Sequence, residues 1–177
     1  MVRHGLIFLL VIPIHLFLGC KQSTEVPKET KMSEGVGDFN GDGKADILWR
    51  RAGSGQTALW LMDGTTISSV GAPGVVSDMN WQVKGVGDFN WDGKADVLWH
   101  HAGSGQTALW LMNGATIISI GGPGVVSDPN WQIKGVGDFN GDGKADVLWH
   151  HATSGQIAIW LMDGEKTTSV GAPGIVK

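Results

Sequence analysis

The residues best suited to chemistry lie in a nine-residue loop that occurs three times. Each copy reads Asp-Phe-Asn-x-Asp-Gly-Lys-Ala-Asp, with side-chain oxygens at loop positions 1, 3, 5 and 9 and a glycine at position 6. Oxygen ligands of this kind, together with the carbonyl at position 7, suit Ca²⁺. The candidate ligands are Asp38, Asn40, Asp42, Lys44 and Asp46; Asp88, Asn90, Asp92, Lys94 and Asp96; and Asp138, Asn140, Asp142, Lys144 and Asp146. Calcium is therefore the expected cofactor, and a metal-free Asp/Asn/Gly turn is the alternative.

The charge balance reflects these loops. The net charge is −4, and 9 Asp residues lie at the loop positions. Carboxylates this close repel one another unless a cation lies between them. The acidic balance is therefore mostly charge of the candidate sites, and no basic face is available to neutralise phosphates, so nucleic acid is excluded as an expected partner.

The loop differs from an EF-hand at its twelfth position and in its flanks. An EF-hand needs Glu at position 12 and helices on both sides. Here position 12 is Trp49, Trp99 or Trp149, and the flanking residues alternate as strands do. The sequence therefore excludes EF-hand and dockerin-type sites.

A fixed period of 50 residues organises the chain from Gly35 onward. The first two copies match at 34 of 43 positions, and the second and third match at 30 of 43. A period near 50 is typical of a propeller or solenoid, in which each repeat buries its faces against its neighbours. With 28 Gly and 9 Trp, the composition also favours many turns and aromatic strands.

Turn signals place four strands in one repeat. In the second copy we predict strands over Trp81–Phe89, Ala95–His101, Gln106–Met112 and Ala115–Ile120. Asn113-Gly114 is a hairpin signal between the last two. Four antiparallel strands form a propeller blade, so the predicted class is all-β, with three propeller-type blades.

The residues on either side of the loop carry a family resemblance. With Gly-Val-Gly-Asp-Phe before it and Ala-Asp-[Ile/Val]-Leu-Trp after it, the loop resembles the FG-GAP/VCBS repeat family, which includes integrin α-subunit propellers. The resemblance covers residues 35–177, as repeats at about 33–71, 81–121 and 131–171. It implies that the loop's Asp and Asn residues bind calcium on the hairpin between the first two strands of each blade.

Three blades do not close into a ring, because propellers have at least four. We expect either a homodimer that completes six blades or a chain that is part of a longer array.

The first residues are interpreted as a targeting signal. Residues 1–19 resemble a bacterial lipoprotein signal peptide, with an apolar run from Leu6 to Leu18 that ends at Gly19-Cys20. This predicts lipidation of Cys20, a polar tether over residues 20–34 and an extracytoplasmic protein anchored in the membrane. The alternative is an ordinary secretory signal with an incidental cysteine.

Trp91 is the substitution that stands out in the loops. It occupies loop position 4, where the sister repeats have Gly41 and Gly141. A large aromatic ring in a polar loop should be exposed, where it can stack on a sugar or anchor a protein. Drift at a tolerant position is the alternative.

Two further sets of residues have structural interpretations. Arg50-Arg51 in the first copy corresponds to His100-His101 and His150-His151. Adjacent strand residues point to opposite faces, so a pair cannot chelate one metal, and we interpret them as polar residues at the blade edge. Trp49, Trp60, Trp81 and their equivalents are expected to pack between blades, and a platform for a ligand is the alternative.

The sequence therefore predicts a non-enzymatic, calcium-binding repeat protein for adhesion or recognition, with an unknown protein or carbohydrate as ligand. A lectin-like or substrate-binding module that serves an enzyme is the second hypothesis. A hydrolase is the third, and it is disfavoured because no unrepeated acid/base cluster occurs and Ser54, Ser104 and Ser154 have no His–Asp pair beside them.

Overall fold

The computed structural model describes residues 33–176, which form strands and turns with no helix. The predicted signal peptide and Cys20 lie outside these residues. The strands, numbered in chain order, are β1 (Ser33–Gly37), β2 (Asp46–Arg50), β3 (Thr57–Asp63), β4 (Thr66–Gly71), β5 (Trp81–Gly87), β6 (Asp96–His101), β7 (Thr107–Asn113), β8 (Thr116–Gly121), β9 (Trp131–Gly137), β10 (Asp146–His151), β11 (Gln156–Asp163) and β12 (Lys166–Ile175).

The strands form three antiparallel sheets of four, each in sequence order, and we number these blades 1 to 3. The predicted all-β class and the four-stranded repeats are confirmed, and the architecture is that of an incomplete propeller. Predicted strand ends in the second copy differ from β5–β8 by one or two residues. β5 ends at Gly87 because Asp88 already begins the loop.

The hairpins between the last two strands turn one residue later than predicted, because Asn113 pairs with Thr116 and leaves Gly114 and Ala115 as the two-residue turn. Gly64, Gly114 and Gly164 have φ of 60°, 57° and 56°. Glycine adopts this left-handed region without a Cβ clash, which suits a two-residue turn between twisted strands.

Successive blades stack face to face, with β1 in contact with β5 and β5 in contact with β9. Two hydrophobic clusters fill the junctions. The junction of blades 1 and 2 buries Phe39, Leu48 and Leu59 against Val97, Trp99, Trp110 and Met112. The junction of blades 2 and 3 repeats this arrangement with Phe89, Leu98 and Leu109 against Val147, Trp149 and Met162.

Each blade therefore has two different faces. The Phe face carries the phenylalanine and leucine set and points to the following blade; the Trp face carries the tryptophans and points to the preceding blade. Trp99 and Trp149 are each 1% exposed in the two junctions. The expected packing of tryptophans between blades is confirmed there.

Glycines in the first strand of a blade let the next blade approach closely. A Cβ built on Gly35 would lie 2.6 Å from Val86 Cγ2, and one on Gly37 would lie 2.6 Å from Val86 Cγ1. Gly85 has the same relation to Val136, with a distance of 2.5 Å to Cγ1. The valine of one blade thus lies over two glycines of the preceding blade, where any side chain would clash.

The sequence-based interpretation of Arg50 as a polar residue at the blade edge is wrong. The Arg50 side chain is 4% exposed, and its guanidinium lies 5.6 Å from the ring centre of Trp99 in the next blade. It donates hydrogen bonds to the carbonyls of Val76, Asp78 and Trp81. The position belongs to the junction, because a cation stacked on an aromatic face and hydrogen-bonded to carbonyls is stable there.

Blade 3 differs from its sisters at its last strand. In blades 1 and 2 the hydroxyls of Thr57 and Thr107 donate to the carbonyls of Gly74 and Gly124 at 2.8 Å. Ile157 has no hydroxyl, and β12 instead continues to Ile175 as a paired strand.

Within residues 33–176, no helix is long and apolar enough to cross a bilayer.

Candidate metal sites at the blade junctions

The three acidic loops join the first and second strands of their blades. They run from Asp38 to Asp46, from Asp88 to Asp96 and from Asp138 to Asp146. The glycine at loop position 6 has φ of 83°, 80° or 86°, which turns the chain back on itself. The order of the residues thus produces the same compact turn in every blade.

The first aspartate organises each loop through its carboxylate. Asp38 Oδ1 accepts the amides of Gly41 at 2.7 Å and Asp42 at 3.1 Å, and Oδ2 accepts the amide of Gly43 at 2.7 Å. Asp138 accepts the corresponding three amides. These bonds hold the pKa of Asp138 below its usual value, chiefly through the Gly143 amide.

The residues at positions 3 and 5 form smaller turns within the loop. Asn40 Oδ1 accepts the amide of Asp42 at 3.0 Å, and Asp42 Oδ1 accepts the amide of Lys44 at 2.9 Å. The second bond is the main reason that the pKa of Asp42 is lowered. Side-chain oxygens therefore line the inside of the turn, with the backbone amides folded around them.

The aspartate at position 9 is buried and holds the loop to the blade. Asp96 is 0% exposed; its Oδ2 accepts the amide of Phe89 at 2.9 Å and its Oδ1 accepts the amide of Met112 at 2.8 Å. Desolvation raises its pKa to about 7 against the effect of these bonds, with Asp92 and Asp88 raising it further. Asp46 and Asp146 are equally buried and make the same pair of bonds.

The lysine at position 7 pairs with an aspartate outside the loop in blades 1 and 3, and Lys44 Nζ also lies 3.6 Å from Asp42 Oδ2 in its own loop. Lys144 Nζ lies 2.8 Å from Asp163 Oδ1, and Lys44 Nζ lies 3.4 Å from Asp63 Oδ1. Blade 2 has Asn113 at the corresponding position. Because the Lys44 and Lys144 ammonium groups pair with these aspartates, a contribution of position 7 to a cation site would come from the carbonyl oxygen.

The donor chemistry of the loops fits a hard cation, although the carboxylates are not gathered into a cage. Among residues 33–176, no group of three or more His, Cys, Asp or Glu side chains converges as a metal site. Oδ1 at position 1 already accepts two or more amides. Oδ2 at position 1 and the oxygens at positions 3, 5 and 9 accept one and retain a lone pair, so these oxygens can also bind a cation. Binding would then require small rotations of the side chains at positions 3 and 5.

The loops also connect neighbouring blades. The carbonyl of Asp38 accepts the amide of Ala95 at 2.7 Å, and the carbonyl of Phe39 accepts the amide of Gly114 at 2.7 Å. Asp88 and Phe89 repeat this with Ala145 and Gly164. A change in loops 1 or 2 therefore acts directly on the junction with the following blade.

Trp91 is 71% exposed and has a φ of 62°, rare for a residue with a side chain. Its amide donates to Asp88 Oδ1 at 2.6 Å, as that of Gly41 does to Asp38. A Cβ on Gly143 would lie 2.8 Å from the indole nitrogen of Trp91, so the ring lies across the next loop. The expected exposure is confirmed.

The histidine pairs separate as their strand positions require. His101 Nε2 lies 2.9 Å from Asp78 Oδ2 in the linker between β4 and β5, residues 72–80. His100 instead meets the Trp149 ring edge-on, at 5.7 Å between ring centres. Burial lowers the pKa of His100, with Lys84 adding to the effect. The linker contact was not predicted, although the repeated Ser-Asp-x-Asn segment was a signal for a turn.

The comparisons with known proteins agree with part of this interpretation. Residues 38–99, which contain the first two loops, match the model of the FG-GAP-like repeat, a non-enzymatic repeat type of adhesion and recognition domains. Neither a curated protein nor a solved structure matches the chain.

Proposed function

We propose that the protein is a calcium-binding repeat domain that works outside the cytoplasm in adhesion or recognition, with calcium in a structural role. The observation that carries the proposal is the repetition of one oxygen-lined turn at the same place in all three blades. Each turn folds its amides around the side chains of positions 1, 3, 5 and 9. Calcium, when bound, would neutralise these carboxylates and tie the turn together.

Residues of the chain have distinct parts in such a site. In loop 2, the side chains at positions 1, 3 and 5 would supply oxygens from the turn, and Lys94 would supply its carbonyl. Asp96 would add a carboxylate from the blade itself. Since the carbonyl of Asp88 accepts the Ala145 amide, an ordered loop 2 supports the junction of blades 2 and 3.

The test is calorimetric titration of the purified protein with Ca²⁺, paired with thermal unfolding in calcium and in chelator. We expect one ion per loop and a lower melting temperature in chelator, because an ion that binds only the folded state stabilises it by mass action. Mg²⁺ is the control cation, since it requires a stricter octahedral geometry. An absence of binding heat together with an unchanged melting temperature would contradict the proposal.

A protein or carbohydrate ligand is proposed for the exposed surface, with Trp91 as the specific observation that favours a lectin-like module. An indole that is 71% exposed offers a flat apolar face for a sugar ring. We place the protein at the membrane through a lipid on Cys20, on the strength of the apolar run that precedes it.

A further inference from the structure

Each internal junction packs the Phe face of one blade against the Trp face of the next. The two ends of the blade stack present one face of each kind. Blade 1 presents a Trp face and blade 3 presents a Phe face, and neither has a neighbouring blade among residues 33–176. We propose that two copies of the chain join head to tail through these faces and close a ring of six blades. The inference goes beyond the proposed function and does not depend on calcium or on a ligand.

Exposure shows what each end lacks. Phe139 on the Phe face of blade 3 is 47% exposed, whereas its counterparts Phe39 and Phe89 are 0% exposed. On the Trp face of blade 1, a groove of about 720 Å³ runs beside Trp49 and Trp60. The counterparts of these tryptophans in the next blade, Trp99 and Trp110, are buried.

The contact between the valine of one blade and the two glycines of the preceding blade is incomplete at both ends of the stack: one end has the valine and the other end has the glycines. Val36 is 61% exposed at the first blade, and nothing lies within 4 Å of a Cβ built on Gly135 or Gly137 at the third. In both internal junctions the corresponding valine, Val86 or Val136, lies over the corresponding glycines. Val36 of one copy therefore fits the open seat of the other copy.

The contact between the last strand of one blade and the last hairpin of the following blade is also incomplete at both ends of the stack. A Cβ on Gly121 would meet Glu165 at 2.2 Å and one on Gly71 would meet Ala115 at 2.0 Å, while Gly171 has nothing within 4 Å. Thr65, at the position of Ala115 and Glu165, is the matching residue on blade 1. Its small side chain fits a seat that accepts both alanine and glutamate.

Backbone hydrogen bonds complete the match. The carbonyls of Asp138 and Phe139 correspond to those of Asp38 and Phe39, which accept amides from the following blade. The matching donors at the other end are the amides of Ala45 and Gly64, the counterparts of Ala95 and Gly114. A head-to-tail contact would pair these groups in the geometry that both internal junctions already use.

Two chains are the number that closes the ring. The contact joins unlike faces, and such a contact yields either a closed ring or an open fibre. Known propellers have about four to eight blades, so two copies of three blades fall within that range and three copies exceed it. A second copy of the three blades in residues 33–176 therefore fits both ends of the stack.

Cysteine pairs give the sharpest test. In the internal junction a Cβ on Gly37 lies 3.9 Å from Val86 Cβ, within the range of about 3.5–4.5 Å that disulfides use. It would also lie 2.7 Å from Ala95 Cβ, so the cysteine variants carry glycine at this alanine, as Ala95→Gly in the internal pair and Ala45→Gly in the pair between chains. The pair Val36→Cys and Gly137→Cys in the full chain reproduces this geometry across the proposed contact. Oxidation of the purified protein should give one covalent species of twice the chain mass on denaturing gels.

The matched controls use the same chemistry. The pair Gly37→Cys and Val86→Cys should close within one chain and leave the mass unchanged. Each single variant, and the parent with its one natural cysteine, should remain uncross-linked. A failure of the terminal pair where the internal pair closes would overturn the proposal, and a ladder of higher species would overturn the closed ring.

Light scattering of the full chain in mild detergent tests the contact without a disulfide. Val36→Glu should halve the measured mass, from dimer to monomer. Val70→Glu should leave the dimer intact, because its counterparts Ile120 and Val170 remain 60% and 61% exposed on the Trp faces of the two internal junctions. Gly137→Val attacks the opposite half of the contact and should also give monomers. If both interface variants retain the mass of the parent, or if the parent is a monomer, the proposal is wrong.

Discussion

The buried aspartate at the end of each loop anchors the backbone, and it is also a proposed calcium ligand. Asp96 accepts amides from both Phe89 and Met112, and no water reaches it to take over either bond. At position 5, the exposed Asp92 accepts only the Lys94 amide and a long contact from Asn90. The structural role of position 9 can therefore be measured separately from any role in binding an ion.

In chelator, Asp96→Asn should lower the free energy of unfolding by about 1–3 kcal/mol, because an amide NH₂ must replace one acceptor and face a buried donor. Asp92→Asn, which is exposed, should change it by less than about 0.5 kcal/mol. Denaturant unfolding measures both. In calcium, both variants should lose one bound ion, and equal stability losses in chelator would refute the anchoring role of Asp96.

Trp91→Gly restores the residue of the sister loops at a position with left-handed backbone geometry. The removed strain is worth about 1 kcal/mol, and lost contact with Gly143 offsets part of it. The melting temperature should therefore stay close to that of the parent, while binding on a glycan array or to a protein ligand weakens. Trp91→Phe keeps an aromatic ring and is the control. Undiminished binding by the glycine variant would mean that Trp91 arose by drift at a tolerant position and does not bind a ligand.

At the scale of elements, the junction between blades depends on the residue at the end of the second strand. Arg50 caps the carbonyls of the linker and covers Trp99, whereas the shorter His100 meets Trp149 edge-on. The neighbouring Arg51 directly follows the end of β2 and is exposed. The two arginines therefore provide a matched pair, since both are histidine in the other repeats.

Arg50→His should lower the free energy of unfolding by about 1–3 kcal/mol, because the linker carbonyls lose charged donors. Arg51→His should change it by less than about 0.5 kcal/mol. Denaturant titration of the two variants under one set of conditions makes the comparison. Equal effects would mean that the contribution of Arg50 is general charge and has no connection with the junction.

At the scale of the whole molecule, three similar blades form one continuous stack with unlike ends. Because each junction buries a Phe face against a Trp face, stability is shared between neighbours, as in other repeat proteins. Cys20 and the polar tether up to residue 32 remain a prediction, as they lie outside residues 33–176. Ser33 and Glu34, which the prediction placed in the tether, instead begin β1.

Cys20→Ser should leave the protein either uncleaved or released in soluble form, because the thiol is the proposed site of the lipid. Membrane fractionation and the mass of the mature N-terminus measure the two outcomes. Lys21→Ser is a suitable control, since it changes a polar residue beyond the proposed cleavage point. Processing and membrane partition identical to the parent would exclude lipidation at Cys20.

The sequence by itself determined the strands, the hairpins and the oxygen-lined loops, because these depend on neighbours within a few residues. Three features act locally: the alternation of side chains, the Asp-Gly and Asn-Gly turns, and the loop aspartates. The sequence therefore predicts the structure that each of them forms. The exact period of 50 residues also indicated a stack of blades.

Only the tertiary structure decided which residues meet across the junctions. Val86 over Gly35, Arg50 over Trp99 and the Asp38 carbonyl on Ala95 join residues about 50 apart, and their pairing depends on the angle and offset of whole sheets. The burial of Asp96 likewise depends on the adjacent strand and blade. Packing of one sheet on another fixes these contacts, and no local pattern encodes its geometry.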